Sequence, residues 1–157
     1  MIPLAEETET RLKAAGWRRN RRWRGLRTAP SQIQRHGHRI SKAAIDFLTE
    51  FGGLSVRHLA VGGAESKTEF NPVKAAGELD LASLREYERW VGLPLSIVGQ
   101  AYEGYMSVLV ADDGRVFLAY DDEFHCIGDD RYDALNSLCI GPAYNVERAR
   151  RHLNSDG

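Results

Sequence analysis

A chain of 157 residues and 17.6 kDa has room for one compact domain. With 43% hydrophobic and 9% aromatic residues and a formal net charge of −1, it can bury a core and lacks the charge imbalance that keeps disordered chains open. No apolar run nears the ~18 residues of a membrane span, so the membrane-spanning class is excluded as well.

The first ten residues carry Glu6, Glu7 and Glu9 in place of the basic start and apolar stretch of a signal peptide. Cys126 and Cys139 are two thiols without a disulfide framework, and both features together predict a cytoplasmic protein. A first helix is expected over Leu4–Ala15, with Leu4, Thr8, Leu12 and Ala15 on one face and Gly16 ending it. Trp17 to Arg27 has no clear periodicity. Its tryptophans Trp17 and Trp23 are expected to dock on the core while the arginines stay in water.

Ser41 is the N-cap of a second predicted helix, Lys42–Phe51, which presents Ala44, Phe47, Leu48 and Phe51 on one side and stops at Gly52-Gly53. A strand follows over Leu54–Val61, with a change of phase at Arg57-His58 that suggests a bulge. After Gly62-Gly63, a short strand Lys67–Phe70 is stopped by Asn71-Pro72. Asp80 caps a third helix, Leu81–Val91, whose stripe is Leu81, Leu84, Tyr87 and Val91.

Tyr105–Ala111 and Arg115–Tyr120 form the strongest β signal, two strands joined by the turn Asp112-Asp113-Gly114 and apolar on both faces. A short strand at Phe124–Ile127 and a helix over Asp130–Cys139 come next, the helix ending at Gly141-Pro142. Asn145 caps a last, basic helix, Val146–Leu153. The order predicts an α+β fold in which helices pack on an antiparallel sheet, with residues 1–144 as a single domain and 145–157 as a basic C-terminal helix and tail.

Charge is divided along the chain. From Arg11 to Lys42 there are eleven basic residues and no acidic one, and the remainder holds ten basic residues against all 22 acidic ones. Asp112 to Asp133 alone has eight carboxylates against Arg115 and Arg131. Such asymmetry marks either a surface that selects partners by its field or two patches that face each other.

Motifs for catalysis or cofactors are missing from the sequence, with no phosphate loop, dinucleotide fingerprint, zinc-type helix or calcium loop, so neither a catalytic residue nor a metal or cofactor is expected. His36-Gly37-His38 reads as an exposed loop, because no Cys or acidic ligand lies near it in sequence. His125 and Cys126 are strand neighbours pointing to opposite faces, so they make no nucleophile–base pair; Cys126 and Cys139 are both expected to be buried structural cysteines. Glu50 sits in a helical last turn, where the dipole disfavours an anion. It either pairs with an arginine of residues 17–27, accepts N–H groups beyond the glycines, or lines a binding cleft.

Ala15-Gly16-Trp17 followed by basic residues, and Ala44-Ile45-Asp46-Phe47-Leu48-Thr49-Glu50-Phe51-Gly52-Gly53-Leu54, resemble the front half of the SUKH-3 group, in the superfamily of bacterial immunity proteins related to yeast Smi1/Knr4-type regulators. Asn71-Pro72, Val91-Gly92-Leu93-Pro94, Asp113-Gly114-Arg115-Val116, Ile127-Gly128-Asp129 and Ala134-Leu135 continue the likeness to Gly141. Leu95-Ser96-Ile97-Val98-Gly99 and the basic C-terminal helix depart from the pattern. The resemblance implies a non-catalytic α+β domain that binds and neutralises a cognate toxin domain, often a nuclease, inside the producing cell.

On that reading Asp112, Asp121, Asp122, Glu123, Asp129 and Asp130 face the toxin, whose nucleic-acid-binding surface would be cationic. Trp17, Glu50, Phe51, Gly52, Gly53, Leu54, Gly114 and Gly128 form the motif and its cleft. Two other functions compete. One is a regulatory module with an endogenous partner. The other is a nucleic-acid binder using Arg18 to Arg27, where cations alternate with aromatics, a reading opposed by the overall pI of about 6.5.

Overall fold

Four side chains start helices in the computed structural model, which describes residues 1–155. Ser41 Oγ accepts from the Ala44 N–H (3.1 Å), Asn71 Oδ1 from Lys74 (3.2 Å), Asp80 Oδ2 from Ser83 (2.9 Å) and Asp130 Oδ1 from Asp133 (2.9 Å). Each satisfies a donor that the helix itself leaves unpaired. The helices are α1 (Glu6–Ala14), α2 (Ala29–Arg35), α3 (Lys42–Phe51), α4 (Pro72–Glu78), α5 (Leu81–Val91), α6 (Arg131–Ile140) and α7 (Pro142–Ser155). The strands are β1 (Ser55–Leu59), β2 (Glu65–Glu69), β3 (Leu95–Ala101), β4 (Met106–Ala111), β5 (Val116–Tyr120) and β6 (Glu123–Gly128).

The strands form one antiparallel sheet in sequential order, β1 to β6. Alternate residues of its central strands point into two cores. Val108, Val110, Val116 and Leu118 pack with Leu12 of α1, Phe47, Leu48 and Phe51 of α3, and Leu135 and Leu138 of α6. Leu95, Ile97, Leu109 and Phe117 pack with Ile33 of α2, Ala75 and Ala76 of α4, and Leu84 and Tyr87 of α5. The result is a three-layer α+β domain, and the doubly apolar character of β4 and β5 follows from having helices on both faces.

Several elements differ from expectation. Asn71-Pro72 starts α4 instead of merely ending a strand, because Asn is an N-cap and Pro fits the first helical position. Helix α2, also not predicted, begins at Ala29-Pro30 just past the Trp17–Arg27 segment, with proline in its first turn and no side-chain cap from Thr28. Strand β3 was not predicted; it is buried along its whole length, and with Ser96 and Gln100 buried beside its apolar residues it shows no inward–outward alternation. The register of β1 with β2 runs without a bulge, since His58 and not Leu59 occupies the inward slot, 1% exposed against 47%. The bulges occur instead between Ile97 and Gly99 and between Val116 and Phe117.

Helix α7 starts at Pro142, so Asn145 lies inside it and does not cap it. Asp156 and Gly157, the end of the predicted tail, lie outside the described residues. No helix among the described residues is long and apolar enough to cross a membrane.

Candidate functional site

Of the predicted cleft residues, Trp17, Glu50, Phe51, Gly52, Gly53 and Leu54 lie around the C-terminal end of α3, while Gly114 lies in the β4–β5 turn and Gly128 ends β6. Glu50 Oε2 accepts from Trp17 Nε1 (3.2 Å) and from the Tyr132 hydroxyl (2.8 Å), while Oε1 accepts from Arg131 Nε (3.0 Å). Arg21 donates to the Glu50 backbone carbonyl (2.9 Å). Three side-chain donors, one of them a cation, offset the unfavourable dipole at this helix end. The cation on the Glu50 carboxylate comes from α6; residues 17–27 supply the Trp17 bond to that carboxylate, and their arginine Arg21 reaches only the Glu50 main chain. Burial pushes the Tyr132 phenol up, and its bond to Glu50 adds to the shift.

Phe51 and Leu54 belong to the core. Gly52 and Gly53 lie under the Trp23 indole: a Cβ at Gly52 would stand 2.2 Å from that ring, and one at Gly53 2.5 Å. The tryptophans therefore lock the basic segment to the scaffold, as expected. Trp17 is only 3% exposed and Trp23 is half-buried on the glycine turn, so neither presents an open ring for stacking nucleobases. Asn20, Arg21, Arg22, Asp46, Thr49, Glu50, Arg131 and Tyr132 surround an open cleft of about 500 Å3.

The acidic residues of 112–133 are divided between the two ends of the sheet, separated by the five residues of β5, roughly 16 Å. At one end, in the β4–β5 turn, Asp112 pairs with Arg39 (3.1 Å) and Asp113 with Arg115 (2.8 Å), and Gly114 takes the positive φ of 93° that closes the turn. The β6–α6 junction lies at the same end. Gly128 packs there against Ala134, Asp129 pairs with Arg148 (2.9 Å), and Asp130 caps α6.

Behind that junction Asp133 is fully buried. It accepts from the Asp129 N–H (2.9 Å), the Tyr144 hydroxyl, Arg148 Nε (2.8 Å) and Arg151 Nη2 (3.2 Å). Burial alone would raise its carboxyl, but the bonds from Tyr144, Asp129 and Arg148 hold it below the usual range. This network ties α7 to the domain.

At the opposite end, the β5–β6 turn carries Asp121, Asp122 and Glu123, all exposed and without an ion pair among the described residues. The Tyr87 hydroxyl donates to the Asp121 carbonyl (2.9 Å) and anchors the turn to α5. Tyr105 and Tyr120 stand beside it. Tyr105 opens one predicted strand and Tyr120 closes the next, and the expected cover on both faces of those strands is missing at these two half-exposed residues.

Two smaller expectations fail. Cys126 is exposed on the outer strand β6, while Cys139 is buried as expected, its thiol pushed up to about 12 by burial. His38 is buried, not part of an exposed loop, and its Nε2 lies 3.0 Å from the Leu79 carbonyl; His36 is exposed.

Residues 4–141 match the family model described as SUKH-3 immunity protein. The chain belongs to the SUKH-3 immunity protein family. Both acidic turns, the Glu50 cluster and the glycine turn of this SUKH-3 protein lie within the matched span, which stops one residue before α7. Membership implies an immunity role exercised through binding a toxin partner, and the family is generally non-enzymatic. Comparisons with curated proteins and with solved structures gave no match.

Proposed function

We propose that this SUKH-3 protein is a bacterial, cytoplasmic immunity protein that neutralises a nucleic-acid-targeting toxin of a polymorphic toxin system by stoichiometric occlusion, with the β5–β6 turn facing the toxin. The observation that carries this reading is how the carboxylates divide. Asp112 and Asp129 are met by arginines of the same chain, and Asp130 is engaged as a helix cap. Asp121, Asp122 and Glu123 are exposed with their charge uncompensated by an ion pair among the described residues. A toxin that binds a polyanionic substrate presents a cationic surface, and three open carboxylates on a rigid turn both steer and complement it. Asp112, Asp129, Asp130, Trp17, Glu50 and the glycine turn then hold the scaffold that presents this tip.

The test is co-expression with the toxin domain encoded beside the gene. Charge reversal at D121K/D122K/E123K is expected to abolish protection and to weaken the complex about 100-fold or more, with the native fold retained by circular dichroism. Full protection by the reversed protein would remove the tip from the interface. Absence of any neighbouring toxin gene would favour a regulatory partner instead.

A further inference from the structure

Beside the β5–β6 turn lies a pocket of about 440 Å3, bounded by the end of α4, the start of α5 and the strand ends of β4 and β5. Three tyrosines line it: Tyr87 of α5, Tyr105 before β4 and Tyr120 at the end of β5. The Tyr105 and Tyr120 rings stack with centroids 4.3 Å apart and planes 25° apart. They remain 55% and 45% exposed. Two packed aromatic rings left half in water are an uncommon surface on a monomer and a common one at the centre of an interface.

The remaining walls define the occupant. Glu78, Asp80 and Asp121 line the pocket, and no Lys, Arg or His is among its lining residues. The first two carboxylates are held by side-chain bonds and the third by its main chain. Glu78 accepts from Gln100 Nε2, Asp80 accepts from the backbone and hydroxyl of Ser83, and the Asp121 main chain is tied to Tyr87. The Ser83 bonds keep the Asp80 carboxyl below its ordinary range and therefore ionised. Burial raises the Tyr87 phenol, and the charges of Asp121, Asp80 and Asp122 raise it further, so the field of three carboxylates converges on that ring.

We propose that this pocket receives one arginine side chain of the partner, its guanidinium lying on the Tyr105–Tyr120 pair and bonding to Glu78 and Asp121. The inference rests on the reading of the β5–β6 turn as toxin-facing, since Asp121 belongs to both. An anion would be repelled here, and an apolar group would strip water from carboxylates without replacing their hydrogen bonds. Guanidinium is planar, weakly hydrated and always charged, so it can stack on the rings and bond to carboxylates in its plane simultaneously; a lysine ammonium, compact and strongly hydrated, does less of the first.

The full chain titrated with acetyl-Gly-Arg-Gly amide, and with the same peptide carrying neutral citrulline, tests this by amide NMR. The arginine peptide is expected to shift Gly104, Tyr105, Tyr120 and Asp121 saturably, with the citrulline peptide doing so at least tenfold more weakly. Y105S/Y120S is expected to weaken arginine-peptide binding about tenfold while the amide spectrum away from the pocket stays native. E78Q, which leaves the rings in place, is expected to weaken it as well.

Equal binding of the citrulline peptide, shifts restricted to Asp122 and Glu123, or unchanged binding by Y105S/Y120S would overturn the proposal. With the toxin itself the two readings separate. If D121K/D122K/E123K abolishes the complex while Y105S/Y120S leaves it intact, the arginine slot fails and the toxin-facing turn stands. If neither variant changes the complex, the toxin-facing turn fails too.

Discussion

Asp133 and His58 show how much a single buried polar residue can decide. Asp133 is legible in the sequence only as one of eight carboxylates in an acidic stretch, yet it is the one that is fully buried and surrounded by donors. D133A leaves Arg148, with its side chain 11% exposed, facing a void, and is expected to cost about 3–5 kcal/mol in urea denaturation. Because the folded carboxyl lies below its ordinary value, its contribution is complete above that value and is lost as pH falls through the folded one, below about pH 4. His58 shares this sign at a higher pH. Burial lowers its imidazole, the bond to the Leu59 carbonyl opposes that, and Arg11 reinforces it. Nδ1–H donates to that carbonyl (3.0 Å), and Nε2 accepts from the Thr68 hydroxyl (2.7 Å). Stability from a neutral His58 is full above about pH 6.5 and declines as pH falls from there, so urea midpoints measured from pH 8 to pH 5 should fall for the native chain and fall less for H58Q.

Among the elements, legibility followed the strength of the local signal. Helices α3 and α5 were readable because an N-cap residue, an apolar stripe and a glycine all agree in each, and α6 because Ala134, Leu135 and Leu138 are followed by the Gly141-Pro142 stop. Strand β3 was not, since a segment covered on both faces has no alternation to read. Helix α4 was hidden by an Asn-Pro pair that serves equally as a strand stop and a helix start. The turn after α3 was recognised as glycine-dependent, but half of its reason was invisible. Gly52 has an ordinary negative φ of −56°, and what excludes a side chain there is the Trp23 indole together with the Leu48 carbonyl oxygen, 2.5 Å from where a Cβ would stand. G52A should therefore displace that ring and cost about 1–3 kcal/mol, measured by chemical denaturation and by a red shift of tryptophan emission.

For the whole molecule, composition and the motif order already carried the α+β class and the family, and the charge count already carried an acidic half opposed to a basic one. If the open turn is the toxin-facing surface, association should be steered by long-range charge. The on-rate with the toxin is then expected to fall steeply as salt rises toward 1 M, where the screening length is ~3 Å, with dissociation changing less; stopped-flow mixing at several ionic strengths measures both. The sequence by itself determined the elements that carry strong local signals, α3, α5 and the β4–β5 hairpin among them, and how much charge of each sign the chain carries, because those depend on neighbours within a few positions. Only the tertiary structure decided which carboxylates meet an arginine of their own chain, since Asp112–Arg39 spans 73 positions and Arg131–Glu50 spans 81. It also decided that Tyr105 and Tyr120 stack beside Asp121. Coulombic and ring contacts act through space, and their partners are chosen by how the sheet and helices pack.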